Sequence, residues 1–251
     1  KALRNYEYEA QYNDGSLYKG GLNSSFVPHG TGTISTIDGI TMRGDWRNGH
    51  LSRGSILSSE NLYVGSCVAD KPSGNGRMIY ADGSQYNGEW KCGMRSGHGT
   101  LTCENGEFYS GDWLMNVPWG VEGECRLIVS PSTRLLSQRN GKRKQTHAHA
   151  FSDKQAPAES LYYGFYRGSW EAGLRSGEGT MTIPISPGAL GDNNEAMFIY
   201  EGSWKQDLPH GFGLVKTADQ LVRGYWKEGV MQTQSSPAGY HVNIISPHEI
   251  D

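Results

Sequence analysis

The chain has 251 residues with a formal charge of −3, and 35 of them are glycine, about twice ordinary usage. The near-neutral balance excludes a global positive field for nucleic acid, and no apolar run approaches the ~18 residues that a membrane-spanning helix needs. Ten prolines without a Gly-X-Y period exclude collagen, so the glycine excess points to regularly placed turns. Nothing at the amino terminus reads as a signal peptide. The four cysteines, Cys67, Cys92, Cys103 and Cys125, show neither C-x-x-C nor zinc spacing. Reduced thiols in a soluble, non-secreted protein are expected.

The chain opens on alternating Tyr6, Tyr8, Ala10 and Tyr12 that run into Asp14-Gly15, which predicts a leading strand over 6–17. A Tyr-x-Gly-x-Trp core then recurs: Tyr18-x-Gly20-x-Leu22, Met42-x-Gly44-x-Trp46, Tyr63-x-Gly65-x-Cys67, Tyr86-x-Gly88-x-Trp90, Tyr109-x-Gly111-x-Trp113, Tyr166-x-Gly168-x-Trp170, Tyr200-x-Gly202-x-Trp204 and Val222-x-Gly224-x-Trp226. A unit of about 23 residues lies in the range that marks repeat architectures. Period-two alternation of ring and glycine predicts a strand with one patterned face, and helical spacing is absent.

Three residues after the tryptophan stands Gly49, Gly93, Asn116, Gly173, Asp207 or Gly229, residue types that tolerate positive φ, which predicts a turn. A Gly-x-Gly then leads to apolar Ile34, Met78, Leu101, Met181 or Val215, the second strand. Asp14-Gly15, Asp38-Gly39, Asp82-Gly83 and Asn105-Gly106 signal the next hairpin turn. One hairpin is marginal in water, so the units must stack, with rings lying on the bare glycines of their neighbours.

The predicted organisation is one array over 1–251, with repeats at 18–129 and 165–229, a basic polar insertion at 130–160, a second insertion at 184–196 and a tail over 230–251. Within the tail, Tyr240 to Ile245 reads as a final strand or a docking segment.

These units resemble the MORN repeat, whose Tyr-x-Gly-x-Trp-x-x-Gly-x-x-x-Gly-x-Gly pattern stands in full at Tyr86–Gly99 and Tyr166–Gly179. The resemblance implies an all-β fold, an elongated solenoid of antiparallel β-hairpin repeats forming a twisted single-layer ribbon. It also implies a non-enzymatic role in ciliary radial spokes, cytoskeletal scaffolds or membrane junctions, or as an accessory region of a larger enzyme.

No phosphate-binding glycine loop, nucleophile elbow or metal-ligand spacing is present in the sequence, so no catalytic residue, cofactor or metal is expected. Glycine-rich stretches such as Gly74-Asn-Gly76 read as hairpin glycines. His147-x-His149 reads as polar loop. Trp90, Trp113, Trp170 and Trp204 are expected to hold the stack together. Tyr86, Tyr109, Tyr166 and Tyr200 are expected to line a ring row that a thin ribbon leaves open to a partner. Arg139, Lys142, Arg143 and Lys144 form the one dense basic cluster, a candidate contact for an acidic partner or lipid.

The expected function is therefore a protein-binding scaffold within a large cytoplasmic assembly of the cytoskeleton, cilium or flagellum, with no nucleic-acid partner and no transmembrane segment. The alternatives are a membrane or phosphoinositide-binding module and a targeting region of a larger enzyme.

Overall fold

A computed structural model describes residues 8–129, 162–184, 197–218, 220–232 and 243–245, all of whose regular elements are strands. Contacts divide the chain into two units, residues 1–104 with 113–116 and residues 105–112 with 117–251. The basic cluster Arg139, Lys142, Arg143 and Lys144, the two histidines 147 and 149, Tyr6, and nearly all of both insertions lie outside the described residues.

In chain order the strands are β1 (Tyr8–Gln11), β2 (Leu17–Leu22), β3 (Pro28–Ser35), β4 (Thr41–Arg47), β5 (His50–Leu57), β6 (Asn61–Val68), β7 (Lys71–Tyr80), β8 (Gln85–Lys91) and β9 (Met94–Thr102). They continue with β10 (Phe108–Leu114), β11 (Val117–Val129), β12 (Tyr162–Glu171), β13 (Leu174–Pro184), β14 (Met197–Lys205), β15 (Leu208–Lys216), β16 (Leu221–Lys227), β17 (Val230–Met231) and β18 (Asn243–Ile245). In the first unit β1 to β9 form an antiparallel meander, each strand pairing with the next. In the second, β11 to β16 do the same, and β16 also pairs with β17 and, along Leu221–Arg223, with β18. The tail thus supplies the final strand, and β1 is the leading strand.

Two kinds of turn alternate. After each tryptophan position from Trp46 onward comes a two-residue turn with both central residues at positive φ, such as Cys92 (52°) and Gly93 (83°), or Gln206 (50°) and Asp207 (67°). This is the type I′ geometry that matches strand twist. The Asp-Gly turns differ. Tyr80 N donates to Ser84 O and Gly83 N to Tyr80 O, while only Gly83 has positive φ, so the loop is a three-residue type I turn closed by a left-handed glycine. Asp82 Oδ1 accepts from Ser84 N at 2.9 Å and fixes that loop from its own side chain.

The glycines of successive strands face one another in a continuous row. Gly20, Gly32, Gly44, Gly54, Gly65, Gly76, Gly88 and Gly99 are register partners in sequence across the first unit, and Gly123, Gly168, Gly179, Gly202, Gly213 and Gly224 across the second. The pairs leave a bare strip of backbone, and where a tyrosine stands two residues earlier its ring lies on it. A Cβ on Gly99 would overlap the Tyr86 hydroxyl, and one on Gly179 the Tyr166 hydroxyl.

Candidate functional site

The core is a ladder of rings on one face of the sheet. Tyr18, Tyr63, Tyr86, Tyr109, Tyr166 and Tyr200 are all no more than 1% exposed. Each hydroxyl donates to the main-chain carbonyl three residues on, as Tyr86 does to Glu89 at 3.0 Å and Tyr200 to Ser203 at 2.9 Å. That carbonyl belongs to the residue left unpaired in its hairpin by the register shift between glycine and tryptophan, Gly88 to Trp90 and Gly202 to Trp204. The tyrosine therefore fills the space over the glycine pair and satisfies an acceptor beside the bulge.

Tryptophans join the repeats. In the first unit Tyr86 meets Trp90 edge-on at 5.0 Å and Trp113 of the next repeat at 5.3 Å; in the second, Tyr166 meets Trp170 at 5.4 Å and Trp204 at 5.2 Å. Indole N–H groups donate to glycine carbonyls of the preceding repeat, from Trp90 to Gly76 and from Trp204 to Gly179, both at 3.0 Å, and from Trp113 to Gly99 at 2.9 Å. Trp170 Nε1 and Trp226 Nε1 are buried without such an acceptor. At Trp170 the register shift between Gly120 and Gly123 brings the bare Gly123 directly against the indole.

This geometry corrects the expected role of Tyr86, Tyr109, Tyr166 and Tyr200. They do form a row on the patterned face, but the tryptophans and the glycine strip enclose them completely, so their rings offer a partner no surface. Trp90, Trp113, Trp170 and Trp204 sit in the ladder, 3–6% exposed.

Two arginines that the sequence reading left aside extend the ladder. Arg95 lies over the Trp113 ring at 4.4 Å and Arg175 over Trp204 at 4.8 Å. Burial lowers the Arg95 pKa, and its Nε has no acceptor. Both occupy the position five residues after the tryptophan, which holds Leu51, Pro72, Arg95, Pro118, Arg175 and Pro209 along the chain.

That position pairs with the turn of the next repeat. Where it is proline, as at Pro28, Pro72, Pro118 and Pro209, its carbonyl accepts from a turn glycine, Gly49, Gly93, Gly173 and Gly229 respectively. Where it has an N–H, as at Leu51, Arg95 and Arg175, the turn residue is Asp70, Asn116 or Asp207, whose Oδ1 accepts that N–H at 2.7–2.8 Å. Donor and acceptor are present together or absent together. Pro–Gly and N–H–Asx junctions alternate, a signal that the sequence carries in the proline positions.

Glu107 is a second residue the reading missed. It is 8% exposed, accepting from Ile128 N at 2.8 Å and Asn105 Nδ2 at 3.0 Å, where other repeats bury Ser16 or Ser84. Arg126 Nε donates to the Gly106 carbonyl at 2.7 Å and its guanidinium covers the Tyr163 ring at 4.8 Å. Together they pin the lengthened pair β11 and β12, which brackets the long insertion.

Burial pushes the Cys67 thiol up to about 11 and the Cys125 thiol to about 12, so both are protonated at neutral pH and inert as nucleophiles. The Tyr86 phenol is pushed up to about 12, again chiefly by burial. Among the described residues no three His, Cys, Asp or Glu side chains converge on a metal position, and no helix is long and apolar enough to cross a membrane.

The opposite face of the sheet is the one that meets solvent. In the first unit its central row runs Lys19, Thr33, Arg43, Ser55, Val64, Arg77, Asn87 and Thr100, one residue from each strand β2 to β9. In the second unit the same face carries a shallow depression floored by Gly168, Gly179 and Gly202 and edged by Arg167, Glu178 and Glu201.

The MORN repeat family model matches residues 63–85, 86–108, 166–185 and 200–220. Comparison with curated proteins returns no match. The units that open at Tyr18 and Tyr109 fall outside the matched segments yet place their tyrosines in the same buried, bulge-capping geometry. The chain thus carries four matched MORN repeats within its ring ladder, which support a repeat-based binding or scaffold module.

Proposed function

We propose that the protein is a non-enzymatic scaffold that binds other proteins within a large cytoskeletal or ciliary assembly such as a radial spoke. The observation that carries the reading is the division of labour between the two faces. The repeat tyrosines and tryptophans are spent on internal packing, and in the first unit the opposite face carries exposed side chains such as Lys19, Arg43, Val64, Arg77 and Asn87. Among the described residues no second layer covers that face, so within each unit it is available for contact.

The test is affinity purification of the full chain from ciliated cells, in parallel with fractionation of the detergent-insoluble cytoskeleton. The proposal expects the chain in the insoluble fraction with a constant set of cytoskeletal proteins. Recovery of the chain alone from the soluble fraction would overturn it.

A further inference from the structure

On the solvent face of the first unit, Leu57, Leu62 and Ile79 are register neighbours across β5, β6 and β7. Val64, 51% exposed, stands beside them in the next row, between Ser55 and Arg77. Leu57 is 48% exposed, so the patch is open to water. Cations frame it: Arg43 pairs in register with Ser55 on one side, Arg77 flanks Val64 on the other, and Arg53 stands next along β5. Asp45, opposite Arg53, is the one carboxylate that the same rows carry on β4 to β7. Arg77 Nη2 donates to Gln85 Oε1 of β8 at 2.5 Å, which ties its guanidinium to the edge of the patch.

The spacing is selective. Arg43 and Arg77 sit on β4 and β7, three strand steps apart, which is about 14 Å at ~4.8 Å per step. An extended chain lying across the strands advances ~3.3 Å per residue and returns to the same side every second residue. Residues i and i+4 therefore reach both guanidinium groups, about 13 Å apart, while residue i+2 comes down midway, between Ser55 and Val64. We propose that this face of β4 to β7 docks an extended protein segment of pattern acidic-x-apolar-x-acidic, with carboxylates on Arg43 and Arg77 and the apolar side chain over Val64 and the Leu57–Leu62–Ile79 row. Planar guanidinium forks favour bidentate carboxylate contacts, and Val64 between them, with the apolar row alongside, excludes water from those contacts.

This proposal rests on the protein-binding reading above but fails separately from it. The probe is a fluorescein-labelled synthetic peptide containing Glu-Ser-Leu-Ser-Glu, titrated with the full chain and followed by anisotropy. Saturable binding is expected, weakened tenfold or more by Arg43→Glu with Arg77→Glu, by Val64→Asp, and by a scrambled peptide with adjacent glutamates. Arg43, Val64 and Arg77 are exposed, so thermal melts of the variants should coincide with the parent, and a variant that does not fold is replaced by Arg43→Gln with Arg77→Gln. Absence of peptide binding, binding indifferent to these changes, or equal binding of the scrambled peptide would overturn the proposal. So would capture of phosphatidylserine vesicles, lost in the same variants, without peptide binding. If the parent chain recovers cytoskeletal proteins but does not bind the peptide, the docking site falls and the scaffold reading stands.

Discussion

Arg175 and Asp207, 32 positions apart, are joined at three points: Arg175 N and Nε both donate to Asp207 Oδ1, at 2.8 and 3.0 Å, and Nη2 donates to the Asp207 carbonyl at 3.1 Å. The turn of one repeat thereby holds both the backbone and the guanidinium of the repeat before it, over the Trp204 ring. Arg95 and Asn116 make the same junction with a neutral amide, and there the Arg95 Nε lacks an acceptor.

Asp207→Ala should cost about 2 kcal/mol in urea melts, because it strands an N–H and a partly buried guanidinium together. Asn116→Asp should do the reverse, adding about 1 kcal/mol by giving Arg95 the charged acceptor that Arg175 already has. A loss of stability in Asn116→Asp at neutral pH would show that the two junctions are not equivalent.

Glycine substitutions should separate space from backbone strain. Gly30 has φ +77° and open space at its Cβ position, so Gly30→Ala should cost about 1–2 kcal/mol through the left-handed conformation alone. Gly99 lies outside that φ range, yet its added methyl would overlap Tyr86. Gly99→Ala should cost more, about 3 kcal/mol, and Tyr86→Phe should not rescue it, since the ring carbons also lie within the overlap. Chemical denaturation of the three variants, with the double variant, measures the order.

How much of this was legible in the sequence follows from which interactions have a fixed period. The ring and glycine positions recur at one offset, so the hairpins, the turn after each tryptophan and the stacking on bare backbone could be read directly. Solvent exposure of Tyr86, Tyr109, Tyr166 and Tyr200 could not. It depends on Trp113 and Trp204 reaching back one repeat, and on glycine pairs letting the rings settle flush, neither of which alternation encodes. The type of the Asp-Gly turn was also hidden, because Asp-Gly suits both a two-residue and a three-residue loop and the flanking hydrogen bonds decide. The Pro–Gly and N–H–Asx junctions were present in the sequence at a fixed offset, but their logic appears only when adjacent repeats are set side by side. The docking face combines residues from four strands, each unremarkable in its own repeat.

Trp113→Ala should cost about 3–5 kcal/mol, because it removes the edge contact to Tyr86, the bond to Gly99 and the ring beneath Arg95 together. Trp119 is 40% exposed, and Trp119→Ala should cost less than about 1.5 kcal/mol. Near-equal losses in denaturant melts would refute the ladder as the source of stability.

The buried thiols and phenols predict a specific alkaline weakening. Cys67 and Cys125 move from an ordinary thiol value of 9.0 to about 11 and about 12, and burial raises Tyr86 from 10.0 to about 12. Each group is neutral when protonated, so the folded state holds its proton more tightly than the unfolded state does. Their contribution is fully present below the unfolded values and is lost as pH rises through the folded ones. Stability should therefore be level with respect to these groups up to about pH 9 and fall between about pH 9 and 12, with proton release on unfolding. Cys67→Ala with Cys125→Ala should flatten the first part of that fall while leaving the tyrosine part. Thiol labelling of the parent protein gives the kinetic counterpart: exposed Cys92 should react at once, and Cys67 and Cys125 only at the rate of unfolding. Rapid modification of Cys125 in native protein at pH 8 would contradict the enclosed core from which the pH dependence follows.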